Sequence, residues 1–430
     1  MRMKFYAALL SLALAGALTG CTDTELSAYS DGNENVNIAD RLKETNTSDT
    51  SVEFEAEQMG LPETITTIVS SSEAAAVTQP VTASTASTLE FTASKPEITI
   101  SKGGNYTIKG STANGRLIIS AGTQAVTITL SDVNITSERG PALRIRSAKS
   151  VTINLPKDTN NVLSSTAYDD DSAAISSFAD ITVSGEGSLT LSSNGSGLDS
   201  ERIFNMKGGS LTVQGSEEGI EASQVNVSGG TISITSREDG INVDGAYNTE
   251  KFNMTGGKVY INCGGDGLDS RVYVSGGTLI IEGSTRYDNY PIEFERNFEI
   301  TGGTIITTGS SLRNIRTAYP TGGTQTYVAA YINAQNGDTV SIKDSDGNEI
   351  ASLIPAKAVS AIFVSNSLLV KGDTYTVSVT DAQTGVTSKA ATVKAGSNAI
   401  APQTPQATTP ATPPAQGTNP PYYYDDDYYD

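Results

Sequence analysis

The chain has 430 residues, with 48 Asp and Glu against 28 Lys and Arg, a formal net charge of −20, no His, no Trp and 2 Cys. Without His there is no imidazole base and no imidazole metal ligand, and so acidic a chain is not a general nucleic-acid binder, because attraction to phosphates needs a cationic surface. Cations and cationic surfaces are the natural partners. Hydrophobic residues make up 37% and glycine adds 41 more residues, enough for a sizeable core.

The N-terminus carries Arg2 and Lys4 ahead of an apolar run from Phe5 to Leu18, the pattern of a signal peptide over 1–20. Leu18-Thr19-Gly20-Cys21 resembles the lipobox of bacterial lipoproteins. That resemblance implies cleavage before Cys21, lipidation of its thiol, and a membrane partner reached through the lipid anchor, at the bacterial cell surface or envelope. With Cys21 lipidated, only Cys263 remains, so no internal disulfide can form. Residues 21–85 are rich in Ser, Thr, Ala and acids without clear periodicity, and read as a spacer that does not build a core.

Residues 86–325 read as short alternating strands. Ile98-Thr99-Ile100, Tyr106-Thr107-Ile108, Leu117-Ile118-Ile119, Val126-Thr127-Ile128-Thr129-Leu130, Leu143-Arg144-Ile145 and Val151-Thr152-Ile153-Asn154-Leu155 come first. From about residue 180 a repeat is plain. Its Gly-Gly turns are Gly208-Gly209, Gly229-Gly230, Gly256-Gly257, Gly276-Gly277 and Gly302-Gly303, spaced by 21, 27, 20 and 26 residues. Period-2 alternation, no helical period and a coil-sized repeat predict an all-β fold, a parallel β-helix. Leucine-rich repeats share the period but need a Leu and Asn scaffold that is absent. A β-sandwich does not give such regular corners. Residues 326–395 depart from the repeat and read as a C-terminal β-hairpin cap or a small β domain, protecting the open end of the solenoid. Residues 396–430 form a Pro- and Thr-rich stretch ending in Tyr and Asp, either a contact for a cationic surface or plain solvated charge.

The corners between strands carry the candidate chemistry: Ser196-Gly197-Leu198-Asp199, Glu218-Gly219-Ile220-Glu221, Asp239-Gly240-Ile241-Asn242 and Asp266-Gly267-Leu268-Asp269. Registered as coils, they give two polar columns. One is Ser196, Glu218, Asp239 and Asp266; the other is Asp199, Glu221, Asn242 and Asp269. Leu198, Ile220, Ile241 and Leu268 point into the core. Carboxylates roughly 5 Å apart repel by several kcal/mol when partly desolvated. Arg202, Arg237 and Arg271 are available as counterions, and a hard cation relieves the rest. Many oxygen donors with no His select Ca²⁺. The alternative is a solvated acidic face screened by salt.

This succession of corners, each separated by a Gly-Gly strand pair, resembles the bacterial family of carbohydrate-binding domain-containing proteins over about residues 90–390. The resemblance implies a right-handed parallel β-helix like that of pectate lyases, bound Ca²⁺ and affinity for acidic polysaccharide such as polygalacturonate. Carried over residue by residue, it makes Glu218, Glu221, Asp239, Asp266 and Asp269 metal ligands, and Asp199 and Asn242, in the column of Glu221 and Asp269, are candidate ligands beside them. Ser196 departs from the pattern in having no carboxylate. Tyr247, Tyr260, Tyr273, Tyr287 and Tyr290 are either sugar-stacking rings or partly buried strand residues. The expectation is non-catalytic, calcium-dependent binding of polysaccharide. Its rivals are a calcium-dependent lyase acting on uronate polymers, with Arg237, Arg271, Arg286 or Arg296 as base, and a structural or adhesive surface protein.

Overall fold

The computed structural model describes residues 87–396 except 169–171, 246–248, 295–296, 312–314 and 316–319. Cys21, the spacer, the tail beyond 396, Tyr247 and Arg296 lie outside the described residues.

Alternating sequence gives alternating burial. In Ser188–Ser193 the odd members Leu189 and Leu191 are buried, while Ser188, Thr190 and Ser192 are half-buried. Each such strand has one apolar edge to hide and finds it by stacking in parallel on the next coil. The result is a parallel β-solenoid with three faces, part of a continuous 25-stranded sheet. The first face runs from Glu97–Ile100 through Arg116–Ser120, Leu143–Ser147, Ile175–Ser177 and Ile241–Val243 to Ile292–Glu293. The second runs from Ser87–Phe91 through Ser150–Leu155, Asp180–Gly185 and Phe252–Met254. The third includes Asn160–Ser165, Ser188–Ser193, Ser210–Ser216, Thr231–Ser236 and Lys258–Cys263. Long strands such as Leu198–Met206 bend from the first face to the second.

Inward side chains stack like on like. On the first face Leu143, Ile175, Leu198, Ile220, Ile241, Leu268 and Ile292 all have 0% exposure. Phe204, Val225, Phe252, Val272 and Phe298 continue the core behind the second face. Each fully buried aliphatic or aromatic side chain contributes about 1.5–3 kcal/mol.

The Gly-Gly turns have a steric cause. At Gly256-Gly257 the second glycine has φ +77°, and a Cβ on the first would sit 2.7 Å from the Ser228 carbonyl oxygen of the coil before. No L side chain fits either place without moving the coil.

The solenoid ends in an antiparallel cap. Val359–Ser365 pairs antiparallel with the last long strand, Phe298–Gly309, and on its other edge with Tyr327–Ala334. Its two sides serve two cores. Ala361 and Phe363 close the solenoid interior, whereas Ile362 and Val364 face a second core. That second core is completed by a four-stranded antiparallel sheet, which includes Thr339–Lys343 and Thr374–Thr380. It also takes in Tyr260, Ile280 and Ile306, the outward residues of the third face.

Candidate carboxylate face and its polar edge

The corner register is that of stacked coils. Asp199 pairs with Glu221, Glu221 with Asn242, Asn242 with Asp269, and Asp269 with Glu293. Below Asp199 the same column continues through Ser176 to Arg144. The column residues from Asp199 to Glu293 are half-buried, one per coil at roughly 4.8 Å spacing.

The other column lies three residues earlier and is held by a ladder of backbone bonds. Gly197 N–H donates to the Glu218 carbonyl, Gly219 to Asp239, Gly240 to Asp266 and Gly267 to Tyr290, at 2.8–2.9 Å. The corner glycine is required for this approach, since a Cβ at Gly219 would overlap the Gly240 carbonyl. Side chains in the column also tie coils together. Asp239 Oδ1 accepts from the Asp266 N–H at 2.7 Å, and Asp266 Oδ1 accepts from the Tyr290 N–H. Ser196 does not copy the acids. Its hydroxyl donates to Glu221 Oε2, tying one column to the other.

The acids of the last coils feel one another. Burial is the main cause that pushes the Asp266 carboxyl up to about 8; a hydrogen bond to the Glu293 side chain and repulsion from Glu293 and Asp239 add to it, against the Tyr290 N–H. Asp239 is also held above the usual carboxylate range. Burial leads again, joined by repulsion from Glu238, Glu293 and Glu221, and opposed by the Asp266 N–H. Asp239, Asp266, Glu293 and Glu221 therefore form one electrostatic cluster across neighbouring coils. Their oxygens are hard donors of the type a Ca²⁺ ion takes, and the donor chemistry fits that ion. As they stand, no three acidic or Cys side chains among the described residues are gathered into a group that could hold a metal ion.

Several predicted partners lie elsewhere. Arg237 donates to the carbonyls of Gly215 and Asn194, at 2.7 and 2.8 Å. Arg271 pairs with Glu250 at 3.0 Å. Arg286, which the sequence offered as a base, forms a forked pair with Glu238. Tyr260 is not a sugar-facing ring. It is buried in the second core, and its hydroxyl donates to Glu282 Oε1 at 2.7 Å. Tyr287 is exposed, and Tyr273 and Tyr290 are half-buried.

Two features escaped the sequence reading. Glu293 extends the acid column because Tyr290-Pro291-Ile292-Glu293 occupies a corner with Pro in place of Gly. The second feature is an uncharged ladder outside the second face: Thr127, Thr152, Thr182, Asn205, Asn226 and Asn253 stand in register on successive coils. Asn226 donates to Asn205 Oδ1 at 3.0 Å, and Gln224 donates to Asn226 Oδ1 at 2.8 Å. The signal was present, since Asn205, Asn226 and Asn253 each stand three residues before a Gly-Gly turn.

A sequence model of the family described as "Carbohydrate-binding domain-containing protein" matches residues 94–403. A curated protein of the same description from Acetivibrio thermocellus is 32% identical over 131 residues, covering 28% of this chain and 46% of the relative. The chain thus spans about half the length of that relative. Among solved structures, the polysaccharide lyase-like protein from C. thermocellum, studied as a gadolinium derivative, is 26% identical at a TM-score of 0.40, covering 52% of this chain and 93% of that one.

Proposed function

Because the chain belongs to the family of carbohydrate-binding domain-containing proteins, we propose that it binds extracellular acidic polysaccharide through its first face, with Ca²⁺ and without catalysis. The observation that carries this reading is the registered column Asp199, Glu221, Asn242, Asp269 and Glu293 beside Asp239 and Asp266. A registered row of carboxylates, interrupted by Asn242, on a parallel sheet repels an anionic polymer unless a cation stands between them. The residues to hold Ca²⁺ are Asp239, Asp266, Asp269 and Glu293, with Asp199, Glu218, Glu221 and Asn242 along the same face. When bound, Ca²⁺ supplies positive charge that protein and sugar carboxylates share. The chain's own part is to fix the spacing. The buried Leu and Ile between the columns and the glycine ladder hold each acid at its coil, so a polymer laid along the stack meets donors at a constant interval. A lipid on Cys21 would anchor the chain to an envelope membrane.

The test is retardation of the protein by polygalacturonate with calcium and with chelator, beside calorimetry of calcium binding. Retardation that needs calcium, and loss of calcium binding in Asp266→Ala and Asp269→Ala, is the expected result. Variants that bind calcium like the parent would overturn the assignment of these ligands. Release of unsaturated uronide products would replace binding by lyase activity.

A further inference from the structure

The edge between the first and second faces holds an open cavity of about 310 Å³, lined by Asp180, Arg202, Ile203, Ser223, Gln224 and Thr249. Its volume lies at the lower end of the range for small-ligand sites, the size of a short oligosaccharide segment. The polar groups are of both kinds. Asp180 offers a carboxylate, one oxygen of which accepts from the Ile203 N–H at 3.3 Å. Gln224 offers an amide, and Ser223 and Thr249 offer hydroxyls. Among the described residues Arg202 and Asp180 make no ion pair, although both line the cavity. Arg202 is exposed, and its backbone N–H donates to Ser200 Oγ at 3.2 Å.

On a chain of net charge −20, an exposed guanidinium with no ion-pair partner among the described residues, beside a polar cavity, is a place where an anionic ligand is met directly. Its planar fork matches a carboxylate. The neighbouring groups suit hydroxyls, with Asp180 accepting and Ser223, Thr249 and Gln224 accepting or donating. In the turn of the coil before, Phe178 has 52% of its surface exposed, two residues ahead of Asp180, and offers an aromatic ring on the same edge. From the cavity the line Gln224, Asn226, Asn205 leads onto the uncharged ladder of the second face. The cavity also lies three residues along the chain from the acid column, as Asp199 precedes Arg202 and Glu221 precedes Gln224.

We propose that this edge is a second, cation-independent glycan subsite, in which Arg202 takes the carboxylate of one uronate unit directly and Asp180, Ser223 and Gln224 take its hydroxyls. It rests on the acidic-polysaccharide reading above and adds to it a residue that selects the acid sugar without metal. One polymer can then engage two chemistries: the carboxylate face through Ca²⁺ and the edge through Arg202.

The test is calorimetry of the full chain with a short oligogalacturonate, in calcium and in chelator, and with its methyl-esterified form as the uncharged probe. The parent is expected to keep measurable affinity in chelator, and Arg202→Gln to lower it about tenfold, the scale of one charge-assisted fork. Affinity for the methyl ester should be equal in parent and variant. Calcium binding measured with calcium alone should also be equal, and Arg202→Lys should recover part of the loss. If the parent binds only in calcium, or if Arg202→Gln binds like the parent in chelator, the subsite is overturned while the carboxylate-face reading stands. If the parent binds oligogalacturonate in neither buffer, both fall.

Discussion

Lys357 shows what one side chain does when a cap is set on a solenoid. Its ammonium donates to the Cys263 carbonyl at 2.8 Å, next to a buried thiol and the buried carboxylate of Glu282. Burial holds the Lys357 pKa below its ordinary 10.5, and the negative charge of Glu282 only partly offsets it. The unfolded chain therefore binds more protons than the folded one between the lowered value and 10.5, so stability rises with pH across that window. Lys357→Met keeps the stem and removes the titration. The parent should gain in denaturant midpoint relative to this variant as pH rises toward 10.5. A constant difference would mean that the ammonium is solvated.

At the scale of the element, the coil turn sets the limits on sequence. Gly257 has φ +77°, and a Cβ there would lie 2.8 Å from the Gly230 carbonyl oxygen. Gly215 has φ +68° but open space around its Cβ position. Both glycines carry the left-handed cost of about 1–2 kcal/mol for an L residue. Only Gly257 adds a clash with the neighbouring coil. Gly257→Ala should lose clearly more stability than Gly215→Ala in urea unfolding. Equal losses would show that the coils yield to the methyl, and that the Gly-Gly repeat answers to φ alone. The same logic explains why the repeat was legible. A steric rule that recurs in every coil writes the same residue at the same offset.

For the molecule as a whole, the cap covers surface that the solenoid cannot leave bare. Ile280 and Ile306 on the third face are 2% and 0% exposed only because the C-terminal sheets lie over them. The last coil also has its edge hydrogen bonds taken by Val359–Ser365. A chain ending at residue 325 should expose both an open strand edge and an apolar patch, and should associate in sedimentation analysis where the full chain does not. A truncated chain that stays monomeric and keeps its cooperative unfolding would show that the solenoid is self-sufficient.

Much of this was readable without coordinates. The solenoid, its corners and the column Asp199, Glu221, Asn242, Asp269 follow from alternation and glycine spacing, because both are enforced by local backbone geometry. Glu293 was not readable, since Pro291 replaces the marker glycine. Each corner glycine passes its N–H to the next coil, and Pro291 has none to pass. The arginines were only partly legible. Arg237 and Arg271, read as counterions of the columns, go to the Gly215 and Asn194 carbonyls and to Glu250, while Arg286, read as a candidate base, reaches Glu238 at a separation of 48 residues. Tyr260 looked like any strand tyrosine until a cap distant in sequence buried it.

The sequence by itself determined the all-β class, the repeating coil and the placing of the acids one per coil, because periods of two and of one coil are written residue by residue. Only the tertiary structure decided which acids share a field, where each arginine goes, that the third face is covered while the other two present polar columns, and that a cavity opens beside Arg202. Those outcomes depend on contacts between coils and between solenoid and cap, and such contacts have no fixed spacing along the chain. The net charge of −20, a property of the whole chain in the sequence, becomes in the fold a registered row of carboxylates on one face with an exposed guanidinium at its edge.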